Sequence, residues 1–229
     1  MSEQTSQPLI QLLIRQQVLK FGEFTLKSGR QSPYFFNLGE LCTGAAMSQL
    51  ARAYVEKIRQ AGFSPEVLFG PAYKGIPLAV AVATALADDG QDVGIAFNRK
   101  ERKDHGEGGH LVGAQMRGRR VLLLDDVLTA GTALREAIGM VQAAGGLIEG
   151  VIIAMDRQER GPGELTAVAT LAEELQVPVL SLISLADLVH YLDASTLESD
   201  GVLENSAPNQ RELKQRMINY QSQYCIASL

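Results

Sequence analysis

The sequence predicts an α/β fold: a central parallel sheet flanked by helices, with a small N-terminal appendage ahead of it. Three observations lead there. From about residue 45, apolar segments of strand length alternate with segments of helical spacing. The strand segments, such as Val121-Leu122-Leu123-Leu124, are apolar without alternation, as strands covered on both faces must be. The 229 residues are 46% hydrophobic and 21% charged, which suits one large domain with a small addition.

The elements follow in order. Residues 8–20 place Leu9, Leu12, Leu13, Val18 and Leu19 at helical spacing, and Pro8 suits a first turn. Phe24-Thr25-Leu26 and Tyr34-Phe35-Phe36 read as short strands joined by the turn Lys27-Ser28-Gly29-Arg30. Ala45 to Ala61 is a helix closed by Gly62. Val67 to Phe69 is a buried strand that enters the turn Gly70-Pro71-Ala72-Tyr73-Lys74-Gly75. Leu78 to Ala87 is a helix of small residues, and Val93 to Phe97 a strand. Val121 to Leu124 is the clearest strand; the helix Ala133 to Ala144 follows and stops at Gly145-Gly146. Val151 to Met155 and Val179 to Ile183 are strands, with the helix Leu165 to Leu175 between them. In such sheets ligands bind at the carboxyl ends of the strands. Asn98 to Gly113 is polar, charged, Gly-rich and without periodicity, so it reads as a loop whose length marks it as functional or disordered. The tail beyond Asp193 is polar, with a helix near Arg211 to Tyr220. The expected organisation is 1–44 as N-terminal helix and hood, 45–193 as α/β core with a mobile lid at 98–113, and 194–229 as a helical tail.

Composition excludes several classes. A net charge of −5 offers no general basic face for nucleic acid. The apolar stretch Ile76 to Ala87 falls short of the ~18 residues of a membrane span. Met1-Ser2-Glu3-Gln4 has no basic segment, and Gln11 breaks the apolar stretch Leu9 to Ile14, so a secretory signal is not expected. Cys42 and Cys225 match no metal-ligand spacing and read as plain thiols of a reducing cytoplasm.

The chemistry concentrates in thirteen residues: Val121-Leu122-Leu123-Leu124-Asp125-Asp126-Val127-Leu128-Thr129-Ala130-Gly131-Thr132-Ala133. An apolar strand runs into two carboxylates, then into a short loop with hydroxyls and a glycine, then into a helix. The helix start offers free N–H groups and a positive dipole end to a phosphate. Gly131 allows close approach of the backbone, and Thr129 and Thr132 add hydroxyls. Asp125 and Asp126 cannot face the phosphate; they suit sugar hydroxyls and a ribose ring that becomes cationic. A bare pair of acids would as readily be solvated, and a lone Thr would as readily cap a helix. Neither Walker A nor the dinucleotide fingerprint fits.

This segment resembles the PRPP-binding motif of the type I phosphoribosyltransferases, PRPP being 5-phosphoribosyl 1-diphosphate. Three further segments resemble the orotate-using branch of that family. They are Phe24 to Asn37, which resembles its hood, Gly70 to Pro77, its pyrophosphate loop, and Arg99 to Gly109, its catalytic lid. The resemblance covers residues 16–192. It implies transfer of ribose 5-phosphate from PRPP to orotate, giving orotidine 5′-monophosphate and pyrophosphate, as in UMP biosynthesis. It places Asp125 and Asp126 on the ribose hydroxyls and Val127, Leu128, Thr129, Ala130, Gly131, Thr132 and Ala133 around the 5-phosphate. It places Lys27, Tyr73, Lys74, Arg99, Lys100, Lys103 and His105 on PRPP, and Phe35, Phe36, Thr129 and Arg157 at the orotate. Lys103 and His105, with the two aspartates, are the implied catalytic residues. Mg²⁺ is implied as cofactor, held mainly by PRPP without a direct protein ligand. A homodimer is implied too, with the lid reaching the partner's site.

The residues themselves leave blander readings open: Phe35 and Phe36 as a core pair, Arg157 as a surface charge in the run Asp156 to Arg160, and Lys27 and Lys74 as solvated turn residues. The lid's five basic groups would pass for a solvated face, but Gly106, Gly108 and Gly109 suit a flap that closes over anions. A phosphoribosyltransferase for another base, or a PRPP-sensing regulator without catalysis, would share the PRPP loop. The first would need a different hood, and the second would be expected to lack the lid.

Overall fold

A computed structural model describes residues 6–26, 29–103, 109–128, 131–161, 163–194 and 210–226. The chain divides into two compact units. One comprises 1–46, 157–166 and 183–229, and the other 47–156 and 167–182.

The larger unit holds the sheet. Its strands are β3 (Val67–Gly70), β4 (Gly94–Lys103), β5 (Gly109–Gly113), β6 (Arg120–Val127), β7 (Leu147–Asp156) and β8 (Val179–Ser184), in the order β5-β4-β3-β6-β7-β8. β4, β3, β6 and β7 are mutually parallel; β5 is antiparallel to β4. Val67, Phe69, Val121, Leu123, Val151 and Ile153 share one core cluster with Leu134, Ala137, Ile138 and Val141 of α4 (Thr132–Ala143) and Leu171 of α5 (Ala167–Leu175). The intervening Leu68, Leu122, Leu124 and Ile152 are equally buried, so the strands are covered on both faces. That double burial is the reason these segments show no alternation. α3 (Gly75–Asp88) packs on β3, β4 and β6, and α4 on β6 and β7. Gly70 and Gly75 let β3 turn directly into α3: a Cβ on Gly70 would sit 2.0 Å from the Gly75 carbonyl oxygen.

The smaller unit joins α1 (Gln7–Arg15), the hairpin β1 (Leu19–Thr25) and β2 (Gln31–Phe36), α6 (Leu185–Ala194) and α7 (Gln210–Tyr224). α1 contacts β1 and α6, while α7 contacts β2 and α6. Leu13, Val18, Leu19, Tyr34, Leu188, Leu213 and Met217 form its buried side. After α7 the chain pairs back on residues 158–160: the Arg160 N–H donates to the Tyr224 carbonyl at 2.8 Å and the Ile226 N–H to that of Gln158 at 3.2 Å.

Three elements differ from the sequence expectation. The helix expected over 8–20 ends at Arg15, because Gln17 turns the chain at φ 58° and Val18-Leu19 enter the hairpin. The described ends of the segment 98–113 are strand: β4 continues to Lys103 and pairs with β5, Asn98 opposite Leu111 and Lys103 opposite Gly109, while 104–108 lie outside the described residues. α6 was not anticipated. Its signal is the box Ser184-Leu185-Ala186-Asp187, in which the Asp187 carboxylate accepts from the Ser184 N–H and the Ser184 hydroxyl accepts from the Asp187 N–H.

Candidate active site

β3, β4, β6 and β7 run parallel, so the loops that follow them gather at one edge of the larger unit. β6 delivers Asp125 and Asp126 to that edge. The Asp126 N–H donates to Asp125 Oδ1 and the Val127 N–H to Asp126 Oδ1, both at 2.9 Å. Each carboxylate is thereby held by the next residue's backbone. Tyr54, buried in α2 (Gly44–Gln60), donates its hydroxyl to the Asp125 carbonyl at 2.8 Å and anchors the strand end. Burial, and next the charge of Asp126, raise the Asp125 carboxyl from 3.8 to about 6; the Asp126 backbone bond and Lys74 pull the other way.

α4 starts at Thr132, and its N-cap is Gly131 at φ 73°, a left-handed conformation that costs other residues about 1–2 kcal/mol. A Cβ there would meet Arg135 Nη1 at 2.6 Å and Leu128 Cδ1 at 3.2 Å. The N-cap Gly131 has no side chain to cap the helix, and Thr132 and Ala133 are exposed. The first-turn N–H groups therefore keep the capacity to bind an anion.

The β3–α3 turn supplies cations to the same edge. Lys74 Nζ donates to Asp126 Oδ2 at 2.8 Å, with the lysine half exposed. The Ala72 N–H donates to Asn98 Oδ1 at 2.9 Å, tying the turn to β4. Lys100 Nζ stands 4.8 Å from the centre of the Tyr73 ring, and Arg99 precedes it on β4. The larger unit thus brings Lys74 to Asp126 and Lys100 to Tyr73, four of the residues expected on PRPP.

The smaller unit arranges the residues expected at orotate. Phe35 and Phe36 point to opposite sides of β2: Phe36 is buried, while Phe35 is exposed beside the Phe24 ring at 5.5 Å. Arg157 is buried, not a surface charge. Its guanidinium lies 4.7 Å from the centre of the Tyr34 ring, and its Nε donates to Glu159 Oε1 at 2.7 Å. Burial opposes the charge, but Tyr34 and Glu159 outweigh it and hold the pKa above the ordinary guanidinium value.

Lys27, His105, Thr129 and Ala130 lie outside the described residues, as does the side chain of Lys103.

A family model for the phosphoribosyl transferase domain matches residues 38–174. An orotate phosphoribosyltransferase of Cellvibrio japonicus is 49% identical over 225 residues, 98% of this chain and 99% of its own. One of Edwardsiella ictaluri is 54% identical over 80% of this chain and 86% of its own. The chain belongs to the orotate phosphoribosyltransferase family. The crystal structure of the orotate phosphoribosyltransferase of Francisella tularensis superposes with a TM-score of 0.81 at 37% identity, covering 96% of this chain and all of that one. The fold is accordingly that of a type I phosphoribosyltransferase: a mostly parallel six-stranded sheet flanked by helices. No helix among the described residues is long and apolar enough to cross a membrane.

Around these family residues the structure adds several that the sequence did not single out: Tyr54 under Asp125, and Arg30, Tyr34, Glu159 and Tyr220 around Arg157. Tyr54 and Tyr220 lie on helical faces where a buried tyrosine looks like any core residue. Only their hydroxyl partners, 71 and 63 positions away, give them a role.

Proposed function

We propose that the chain transfers ribose 5-phosphate from PRPP to orotate, giving orotidine 5′-monophosphate and pyrophosphate in UMP synthesis. The observation that carries the reading is the end of β6: two backbone-held carboxylates ahead of a helix start whose N-cap is a glycine, with a lysine on the second carboxylate. In this reading residues 127–133 bind the 5-phosphate, Asp125 and Asp126 accept from the ribose 2- and 3-hydroxyls, and Lys74 turns from Asp126 to the pyrophosphate. Lys27, Tyr73, Arg99, Lys100, Lys103 and His105 complete the anion contacts. Phe35, Phe36, Thr129 and Arg157 take the orotate, with the guanidinium on its carboxylate.

The bond from the anomeric carbon to the pyrophosphate oxygen breaks, and the leaving group keeps the electron pair. Orotate N1 forms the new bond to that carbon. The N1 proton passes to water, and it is acidic enough that no strong protein base is required. As the ribose ring gains positive charge, the carboxylates of Asp125 and Asp126 stabilise it; as the pyrophosphate gains negative charge, Lys74, Lys103 and His105 meet it. Lys103 is the leading lid residue, as cation or proton donor to the leaving oxygen. Mg²⁺ supplies further charge neutralisation when bound. Its fit here follows from the donors: Asp126 is already paired with Lys74, so the two carboxylates are a poor set for a divalent cation alone and suit one that arrives on the pyrophosphate. The family resemblance supports a homodimer in which 98–113 reaches the partner's site, and two free cysteines suit the cytoplasm.

The test is loss of orotate absorbance with PRPP and Mg²⁺, run beside adenine and uracil. Consumption of orotate alone supports the reading. Preference for another base, or PRPP binding without pyrophosphate release, overturns it.

A further inference from the structure

The C-terminal helix α7 has no part in the chemistry so far, yet its inner face reaches the Arg157 cluster. The Tyr220 hydroxyl donates to Glu159 Oε1 at 2.5 Å and accepts from Arg157 Nη2 at 3.3 Å. Glu159 Oε1 also takes Arg157 Nε and lies 2.7 Å from Nη2. On its other oxygen Glu159 meets Arg30 Nη1 at 3.1 Å, and the Arg30 guanidinium lies over the Tyr224 ring of α7 at 5.2 Å. The Tyr220 ring packs edge-on against Tyr34, the same ring that carries the Arg157 guanidinium.

Two features of this cluster point to an anion. Arg30 and Arg157 are two cations that share one carboxylate, Glu159, so the ion-paired group retains one positive charge. Glu159 also binds Arg157 side-on, through the Nε–Nη2 edge. A planar guanidinium held on that edge can still present its Nη1 end to a second carboxylate.

We propose that α7 is a positioning element for orotate: the Tyr220 hydroxyl fixes Glu159, and Glu159 fixes the plane of Arg157 so that its remaining end meets the orotate carboxylate. This rests on the assignment of Arg157 to orotate made above. Tyr220 and Glu159 act through Arg157 and touch no reacting atom. The hydroxyl stays protonated and able to donate, since burial and Glu159 push Tyr220 up to about 12. The tail is tied to the Arg157 segment twice over, by this cluster and by the backbone bonds from residues 158–160 to Tyr224 and Ile226.

The test is Tyr220→Phe in the full chain, assayed with PRPP and Mg²⁺. The change keeps the ring against Tyr34 and Tyr224 and removes one hydroxyl. The KM for orotate should rise about tenfold, which is ~1.4 kcal/mol. The KM for PRPP and kcat at saturation should stay within about twofold. In an Arg157→Lys background the same substitution should have almost no further effect, because no guanidinium plane remains to be set. An unchanged orotate KM, a tenfold effect that persists beside Arg157→Lys, or a rise of both KM values together with a fall in kcat that tracks lost thermal stability each overturns the proposal. The wild type is the control for the assignment beneath it. If the wild type consumes no orotate, the functional reading fails; if it does and Tyr220→Phe matches it, only the positioning role fails.

Discussion

Asp125→Asn should stabilise the ligand-free protein while disabling it. The carboxyl of Asp125 is raised from 3.8 to about 6, first by burial and then by Asp126. Two pKa units correspond to about 3 kcal/mol. The sign follows from linkage. Well below pH 4 the group is protonated in both folded and unfolded chains and costs nothing. As pH rises the unfolded chain ionises first, so stability falls until the folded carboxyl has ionised too, above pH 6. Asparagine has no charge to bury, and its Oδ1 still accepts from the Asp126 N–H. The variant should therefore gain about 3 kcal/mol over wild type at pH 8, roughly half of that at pH 5 and under about 1 at pH 4. For a chain of this size that is roughly 6–12 °C in unfolding temperature at pH 8. Thermal unfolding followed by circular dichroism at three pH values reads it. In the same variant kcat/KM for PRPP should fall at least about 100-fold, the scale of a lost transition-state charge contact. In wild type that parameter should decline below about pH 6, where the free enzyme's Asp125 takes up a proton. Equal unfolding temperatures at pH 8, or a gap that does not shrink on acidification, would refute the account of a strained, buried carboxylate.

Gly131→Ala should cost about 1–2 kcal/mol of stability through its left-handed backbone and displace Arg135, raising the KM for PRPP several-fold; kinetics with a PRPP titration check it, and a wild-type KM argues against the phosphate loop. Lys103→Ala should lower kcat by about 100-fold or more while PRPP affinity changes little, and unchanged single-turnover chemistry removes Lys103 from the step. Mixing Lys103→Ala with Asp125→Asn should restore roughly a quarter of wild-type activity if the lid serves the partner's site, since half the random dimers are hybrids with one intact site. No recovery on mixing speaks for a lid that serves its own subunit.

Much of the sheet was legible because double burial writes itself into composition: Val121 to Leu124 and Val151 to Met155 are apolar throughout and belong to interior strands of the sheet. The PRPP loop was legible for a different reason, since Asp125, Asp126 and Gly131 are adjacent in sequence and need no tertiary contact to form a pattern. What was hidden depends on pairing at a distance. Arg99 to Lys103 carries no apolar alternation, and only the ladder with β5 makes it a strand. Val18 and Leu19 are buried in either structure, so their spacing could not separate a helix from a hairpin. α6 was announced by Ser184 and Asp187, a box that periodicity alone passes over. The surroundings of Arg157 were out of reach, because Tyr34, Glu159 and Tyr220 meet only once α7 has docked.

The central claim is that β6 and the start of α4 hold PRPP. Crystals of the protein soaked with PRPP and Mg²⁺ test it directly. The account predicts the 5-phosphate on the backbone amides of residues 129–133 and the ribose hydroxyls on Asp125 and Asp126. A sugar phosphate bound elsewhere, or none at concentrations that saturate turnover, contradicts it.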